Sequence, residues 1–185
     1  MKGADKYFLS IILLILVAGL IALGSASGAL SQKAYGTPYR FLWKQLVYGV
    51  GTGSILFFAA FFIPISLYKK YAAPILICSL LLLVLVFIPA LGGASLKGAA
   101  RWIHVGPFSF QPSEVVKLAL VIYLAAWMAA KKKDISTFMH GFLPFLIILG
   151  VISIFLINEP DIGTLGVVAV TSLALFFMGG GRAAQ

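Results

Sequence analysis

From Tyr7 to Leu23 the chain carries no charged side chain. At about 1.5 Å per residue, a helix over that run is long enough to cross the hydrocarbon core of a bilayer. Apolar runs of this kind recur at roughly Leu46–Leu67, Pro74–Leu91, Pro112–Ala130, Gly141–Leu156 and Gly163–Met178. Lipid offers backbone N–H and C=O groups no hydrogen-bond partner, so runs like these must satisfy their own backbone as helices. The expected fold class is an all-α polytopic membrane protein of about six transmembrane helices, a single transmembrane domain over residues 1–185.

Composition agrees: 62% of the residues are apolar and 10% charged, whereas a soluble domain carries about a quarter of its residues as charges. The first run is not read as a cleaved signal peptide, because Gly24-Ser25-Ala26-Ser27-Gly28 leads into further hydrophobic runs. The net charge of +9 does not imply nucleic acid, since the basic residues are scattered between apolar runs. Their distribution orients the chain instead. Lys2, Lys6, Lys69, Lys70, Lys131, Lys132, Lys133 and Arg182 fall on one side and outnumber Lys33, Arg40, Lys44, Lys97 and Arg101 on the other. The positive-inside rule then places both ends of the chain in the cytoplasm and the loop from Gly92 to Gln111 outside. Tyr68, Tyr71, Tyr123 and Trp127 fit a cytoplasmic aromatic belt, and Cys78 reads as a packing residue. Gly24 with Gly28, and Gly49 with Gly53, have the spacing that lets helix backbones approach in lipid.

Charge at the rim of an apolar helix needs a reason. Glu114 and Lys117 are three residues apart, so they share a helix face and can pair. Pro112 suits the first helical position, which puts Glu114 in the first turn. One reading has Glu114 complementing the helix dipole while Lys117 snorkels to the surface; the other directs the pair into the bundle or a wet cavity. Arg101 and Trp102 offer a guanidinium fork for phosphate or carboxylate beside a flat indole, or else an interfacial tryptophan beside a solvated arginine. In Asn158-Glu159-Pro160-Asp161-Ile162-Gly163-Thr164, Pro160 ends one helix and Asp161 caps the next. Asp161 is also a candidate to face Arg101 or Lys117 across an outward cavity. Neither His104 nor His140 has a companion at metal-ligand spacing.

Gly98-Ala99-x-Arg101-Trp102-Ile103, Gln111-Pro112-Ser113-Glu114-x-x-Lys117 and Pro160-Asp161-x-Gly163-Thr164 occur in that order. Together they resemble the signatures of the SEDS membrane proteins, the FtsW/RodA/SpoVE family, and Ser25-Ala26-Ser27 with Lys44-Gln45-Leu46 is most similar to the FtsW and SpoVE branch. Ala100 stands where the family often has a polar or basic residue, and Glu159 where glutamine is common. The resemblance implies a fold of about ten membrane helices, of which this chain is expected to be the first part, in the bacterial cytoplasmic membrane. It implies a peptidoglycan glycosyltransferase that polymerises lipid II in cell-wall synthesis during cell division, with a class B penicillin-binding transpeptidase and other divisome proteins as partners. It further implies that Arg101, Glu114, Lys117 and Asp161, with Trp102, Gln111 and Ser113 beside them, line an outward substrate cavity. The catalytic base is expected on a later outer loop, so this chain alone is not expected to polymerise. No cofactor is implied by the residues, although a divalent cation beside a pyrophosphate is chemically admissible. A lipid II flippase or transporter and a noncatalytic divisome scaffold are the alternatives. Against a transporter, the charges cluster at the outer helix ends rather than deep in the membrane.

Overall fold

A helix begins where its first free N–H groups find an acceptor, and Asp5 supplies one: its carboxylate accepts from the backbone N–H of Tyr7 at 3.0 Å and of Phe8 at 3.3 Å. The computed structural model describes residues 5–88, 101–105, 108–131 and 134–181. Among these, the helices are α1 (Lys6–Tyr35), α2 (Arg40–Phe62), α3 (Ile65–Leu85), α4 (Pro112–Ala130), α5 (Phe138–Asn158) and α6 (Ile162–Met178), with a short hairpin of β1 (Ile103–Val105) and β2 (Phe108–Phe110) ahead of α4. The first five helices are long and apolar enough to cross a membrane, and α6 is a shorter apolar helix of 17 residues. The protein is thus an all-α polytopic membrane protein, and the hairpin is an addition that the sequence reading did not contain. Gly98 to Ala100, the far end of the expected third span, and Lys2, Lys97, Lys132, Lys133 and Arg182 lie outside the described residues.

The chain divides into two compact units, Met1–Phe62 and Ile63–Gln185. In the first, α1 runs 30 residues without a break. It is helical straight through Gly24 to Gly28, where the sequence reading ended the span; Ser27 Oγ returns its hydrogen to the Leu23 carbonyl at 2.7 Å and so does not compete with the helix. The helix stops at Gly36, whose φ of 72° a residue with a Cβ resists, and whose N–H closes on the Gln32 carbonyl. Buried Ser31 then ties the turn to α2, donating to the Thr37 carbonyl at 2.7 Å and accepting from the Arg40 N–H at 3.1 Å. The glycine spacing does not produce a close helix crossing inside this unit. A Cβ at Gly28 or Gly53 would meet nothing within 4 Å, and one at Gly24 first meets Leu42 at 3.8 Å.

The expected second span ran through Pro64 to Leu67, but α2 ends at Phe62 and α3 starts at Ile65. Pro64 is extended, at φ −69° and ψ 143°, and disfavours helical geometry at the residue before it. Lys69 and Lys70 therefore lie in the early turns of α3 rather than in a connecting loop. Pro74, expected at a span start, sits inside α3, where it removes one N–H from the ladder.

The core of the second unit is built around α4, which packs against α3 and α6, while α6 also packs against α5. Leu83, Val116, Leu120, Leu124, Ile152, Leu156 and Val168 interlock there, with small Ser79, Ala119 and Ser172 buried among them. Small side chains matter in this setting, because lipid tails are as apolar as leucine and helices associate through close packing. At the far end, the Phe145 and Phe176 rings stack with centroids 4.5 Å apart. Buried Gly141, in the first turn of α5, packs against the chain at Ile135.

A Cβ added at Gly141 would collide with the carbonyl of Ile135, whereas one at Gly150 would meet nothing within 4 Å. Gly141→Ala is therefore expected to lower the melting temperature in detergent and Gly150→Ala to leave it unchanged or raise it. Thermal unfolding of the two variants side by side checks this.

Candidate functional site

The polar residues singled out in the sequence come from two segments at one end of the helix bundle: the hairpin leading into α4, and the turn between α5 and α6. The hairpin pairs Ile103 with Phe110, His104 with Ser109 and Val105 with Phe108 in antiparallel register. Side chains alternate across a strand, and Ile103 is buried while Trp102, just before it, is 46% exposed. The chain leaves β2 through extended Gln111 and enters α4 at Pro112, whose missing N–H costs nothing at the first position.

Gln111 does not cap its own helix. Its amide crosses to Asp161 and donates to Oδ2 at 2.8 Å. The other oxygen of Asp161 accepts the Thr164 N–H at 3.2 Å, so this carboxylate caps α6, as the sequence reading expected, and holds the start of α4 as well. Arg101 makes a second tie. Its Nε donates to the Glu159 carbonyl at 2.9 Å, and one Nη donates to the Pro160 carbonyl. Arg101 and Asp161 thus meet at one place, yet the guanidinium binds the turn's backbone and not the aspartate.

Glu114 and Lys117 form the expected pair, with Nζ 2.7 Å from Oε1. The glutamate side chain is 59% exposed and that of the lysine 26%. Lys117 lines a small cleft of about 40 Å³ between α4 and α6, with Leu120, Val121, Val167, Val168, Thr171 and Ser172. Ser113 is fully buried in the first turn of α4, and its hydroxyl has no hydrogen-bond partner among the described residues. The residues assigned to one cavity therefore form two groups: a clasp of Arg101, Gln111 and Asp161, and a rim of Glu114 and Lys117 one turn into α4. Among the described residues, no three His, Cys, Asp or Glu side chains converge as a metal site would require.

In the sequence Glu159 stands where the family commonly has glutamine, two residues from Asp161, and the structure seals it from water. Its side chain is 1% exposed and neither carboxyl oxygen has a partner among the described residues. Burial raises its pKa from 4.5 to about 7; the nearby Asp161 carboxylate adds to the rise and the Arg101 guanidinium opposes it. A signal for the Arg101 contact did exist in the sequence. A helix end followed by a proline turn presents carbonyls that need donors, and a cation elsewhere at the same end is the natural supplier.

A model of the FtsW/RodA/SpoVE cell cycle proteins matches residues 5–185. The chain belongs to the FtsW/RodA/SpoVE family. A relative described as a probable peptidoglycan glycosyltransferase FtsW, from Geobacter sulfurreducens, is 39% identical over 93% of this chain and 47% of its own length. A second of the same description, from Coxiella burnetii, is 34% identical over 96% of this chain and 47% of its own. The crystal structure of the rod shape determining protein RodA from Thermus thermophilus superposes with a TM-score of 0.70 at 29% identity, covering 91% of this chain and 52% of that one. A chain from a structure titled for coordination of polymerization and crosslinking by a peptidoglycan synthase complex gives 0.67 at 29% identity, covering 88% and 47%. This FtsW/RodA/SpoVE chain spans about half the length of the curated relatives it matches.

The Glu159 shift fixes a pH dependence of stability. Below pH 4.5 both folded and unfolded chains hold the proton; between 4.5 and about 7 the unfolded chain releases it and the folded chain keeps it, so stability falls as pH rises through that window. Glu159→Gln, which cannot ionise, is expected to melt higher than the parent at pH 8 and close to it at pH 4.5. Melting curves of both proteins in detergent across that range check it.

Proposed function

We propose that this chain acts in peptidoglycan glycosyltransfer, contributing the surface that holds the pyrophosphate of lipid II while the glycan is extended. The observation that carries the reading is the Lys117–Glu114 pair at 2.7 Å, poised over the cleft between α4 and α6. A carboxylate at that distance holds the ammonium in place, at a rim where an unpaired charge would be expensive. The departing group in lipid II polymerisation is a pyrophosphate, and a fixed cation stabilises the negative charge that grows on it. Arg101 offers the guanidinium donors that the turn carbonyls leave free, and half-exposed Trp102 offers a flat face to a sugar ring. Gln111, Ser113 and Asp161 shape the wall behind them.

In this reading residues 1–185 belong to one transmembrane domain of the bacterial cytoplasmic membrane, with both ends cytoplasmic and the hairpin outside. Two relatives are named as probable glycosyltransferases, and one structural neighbour comes from a complex that couples polymerization to crosslinking. The partner proposed here is accordingly a class B penicillin-binding transpeptidase of the division machinery. The base that takes the proton from the attacking sugar hydroxyl is assigned to the length of the relatives that this chain does not match.

The test uses the natural protein that contains this chain, in lipid vesicles with its transpeptidase partner and purified lipid II. A hydrogen bond to a charged group is worth about 1.5–3 kcal/mol, so Lys117→Ala is expected to lower kcat/KM by about ten- to a hundredfold. Lys117→Arg should recover part of the loss. Undiminished polymerisation by Lys117→Ala would remove the role given to this residue.

A further inference from the structure

Among the described residues Glu159 is one of the largest fully buried side chains, and both of its carboxyl oxygens lack a partner there. An ionised carboxylate in that position would be a heavy burden, since buried charges persist only when paired. The cation that would pair with it is close by, for Arg101 already grips the backbone carbonyl of the same residue at 2.9 Å. Yet the two guanidinium donors that reach this turn go to the carbonyls of Glu159 and Pro160, and neither goes to the carboxylate. A guanidinium fork prefers a carboxylate, which it matches bidentately, over neutral carbonyls. The observed arrangement is that of a neutral acid.

We infer that Glu159 is a positioning residue held as a neutral acid beneath the α5–α6 turn, and that its ionisation draws Arg101 from the turn carbonyls onto its own carboxylate, loosening the hairpin and the start of α4. The proton passes to water and no other bond changes. The charged groups around Glu159 among the described residues are Asp161 in its own turn and Arg101 from the segment before the hairpin; α4 contributes neutral Gln111 through Asp161. Ionisation therefore sets a second negative charge beside Asp161 with one cation to serve both. The consequence reaches Glu114 and Lys117, because the helix that carries them begins at the residue after Gln111. With Arg101 on the carbonyls, the segment before the hairpin is tied to the backbone of the turn; with Arg101 on the carboxylate, that tie runs only through the rotatable Glu159 side chain, beside the Gln111–Asp161 bond.

The catalytic consequence rests on the glycosyltransfer reading, whereas the protonation itself does not, so the test has two arms on the natural protein in lipid vesicles. In the first, infrared difference spectra between pH 5.5 and 8.5 are expected to show a protonated-carboxyl C=O band that disappears as pH rises and is absent in Glu159→Gln. Arg101→Gln, which removes the group favouring the ionised form, should move the midpoint of that band to higher pH. In the second arm, lipid II polymerisation with the transpeptidase partner is expected to fall severalfold from pH 6 to 8.5, mainly through a rising KM, and Glu159→Gln should flatten that profile. Absence of the band in the parent protein, an unmoved midpoint in Arg101→Gln, or a profile that Glu159→Gln leaves unchanged each overturns the inference. A parent protein that polymerises at no pH removes the glycosyltransfer reading instead, and the infrared arm still decides the role of Glu159.

Discussion

Two hydrogen bonds from Arg101 to the carbonyls of Glu159 and Pro160 hold together segments 58 and 59 residues apart in the chain. With the Gln111–Asp161 bond they fix where α4 starts relative to the turn between α5 and α6. The helices below are joined by apolar contacts, which resist separation but are weak at specifying register, since one leucine packs much like its neighbour. Polar bonds at the helix ends supply the register. Asp161 is central because each of its oxygens serves a different element: one caps α6 and the other receives α4.

That register matters for the chemistry proposed for the family's substrate. Lys117 lies about one turn and a half into α4 and lines the cleft there with Thr171 and Ser172 of α6. A helical residue changes direction by about 100° per position, so a shift of α4 by a single residue would turn Lys117 away from that cleft. Glu114 steadies the lysine from its own helix, but the clasp at the helix start steadies both. The buried acid Glu159, set under the clasp with no carboxyl partner among the described residues, is a costly polar group. Costs of this kind concentrate where function needs them.

The backbone of the fold was largely legible before any coordinates. Uncharged runs predicted the helices because lipid leaves a backbone no alternative, and five of the helices meet the length and apolarity needed to cross a bilayer. The boundaries were less legible, for two opposite reasons. Glycines and serines at 24–28 were read as an end, yet the helix continues to Gly36 because their backbones still prefer internal pairing to exposure. Pro64 and Pro74 both fall near the ends of expected spans, yet Pro64 divides α2 from α3 while Pro74 lies inside a helix. Proline alone does not say which; the surrounding ladder decides whether one missing donor is absorbed.

At the site, the sequence by itself determined what depends on spacing along one helix. Glu114 and Lys117 pair because residues three apart share a face, and Asp161 caps α6 because it precedes that helix's first free N–H groups. Only the tertiary structure decided that Gln111 reaches Asp161, that Arg101 spends its donors on a turn's carbonyls, and that Glu159 is sealed from water. Those contacts join residues fifty or more apart, with |i−j| of 50 and 58. No periodicity in a sequence encodes them; they follow from which helix ends the packed bundle brings together.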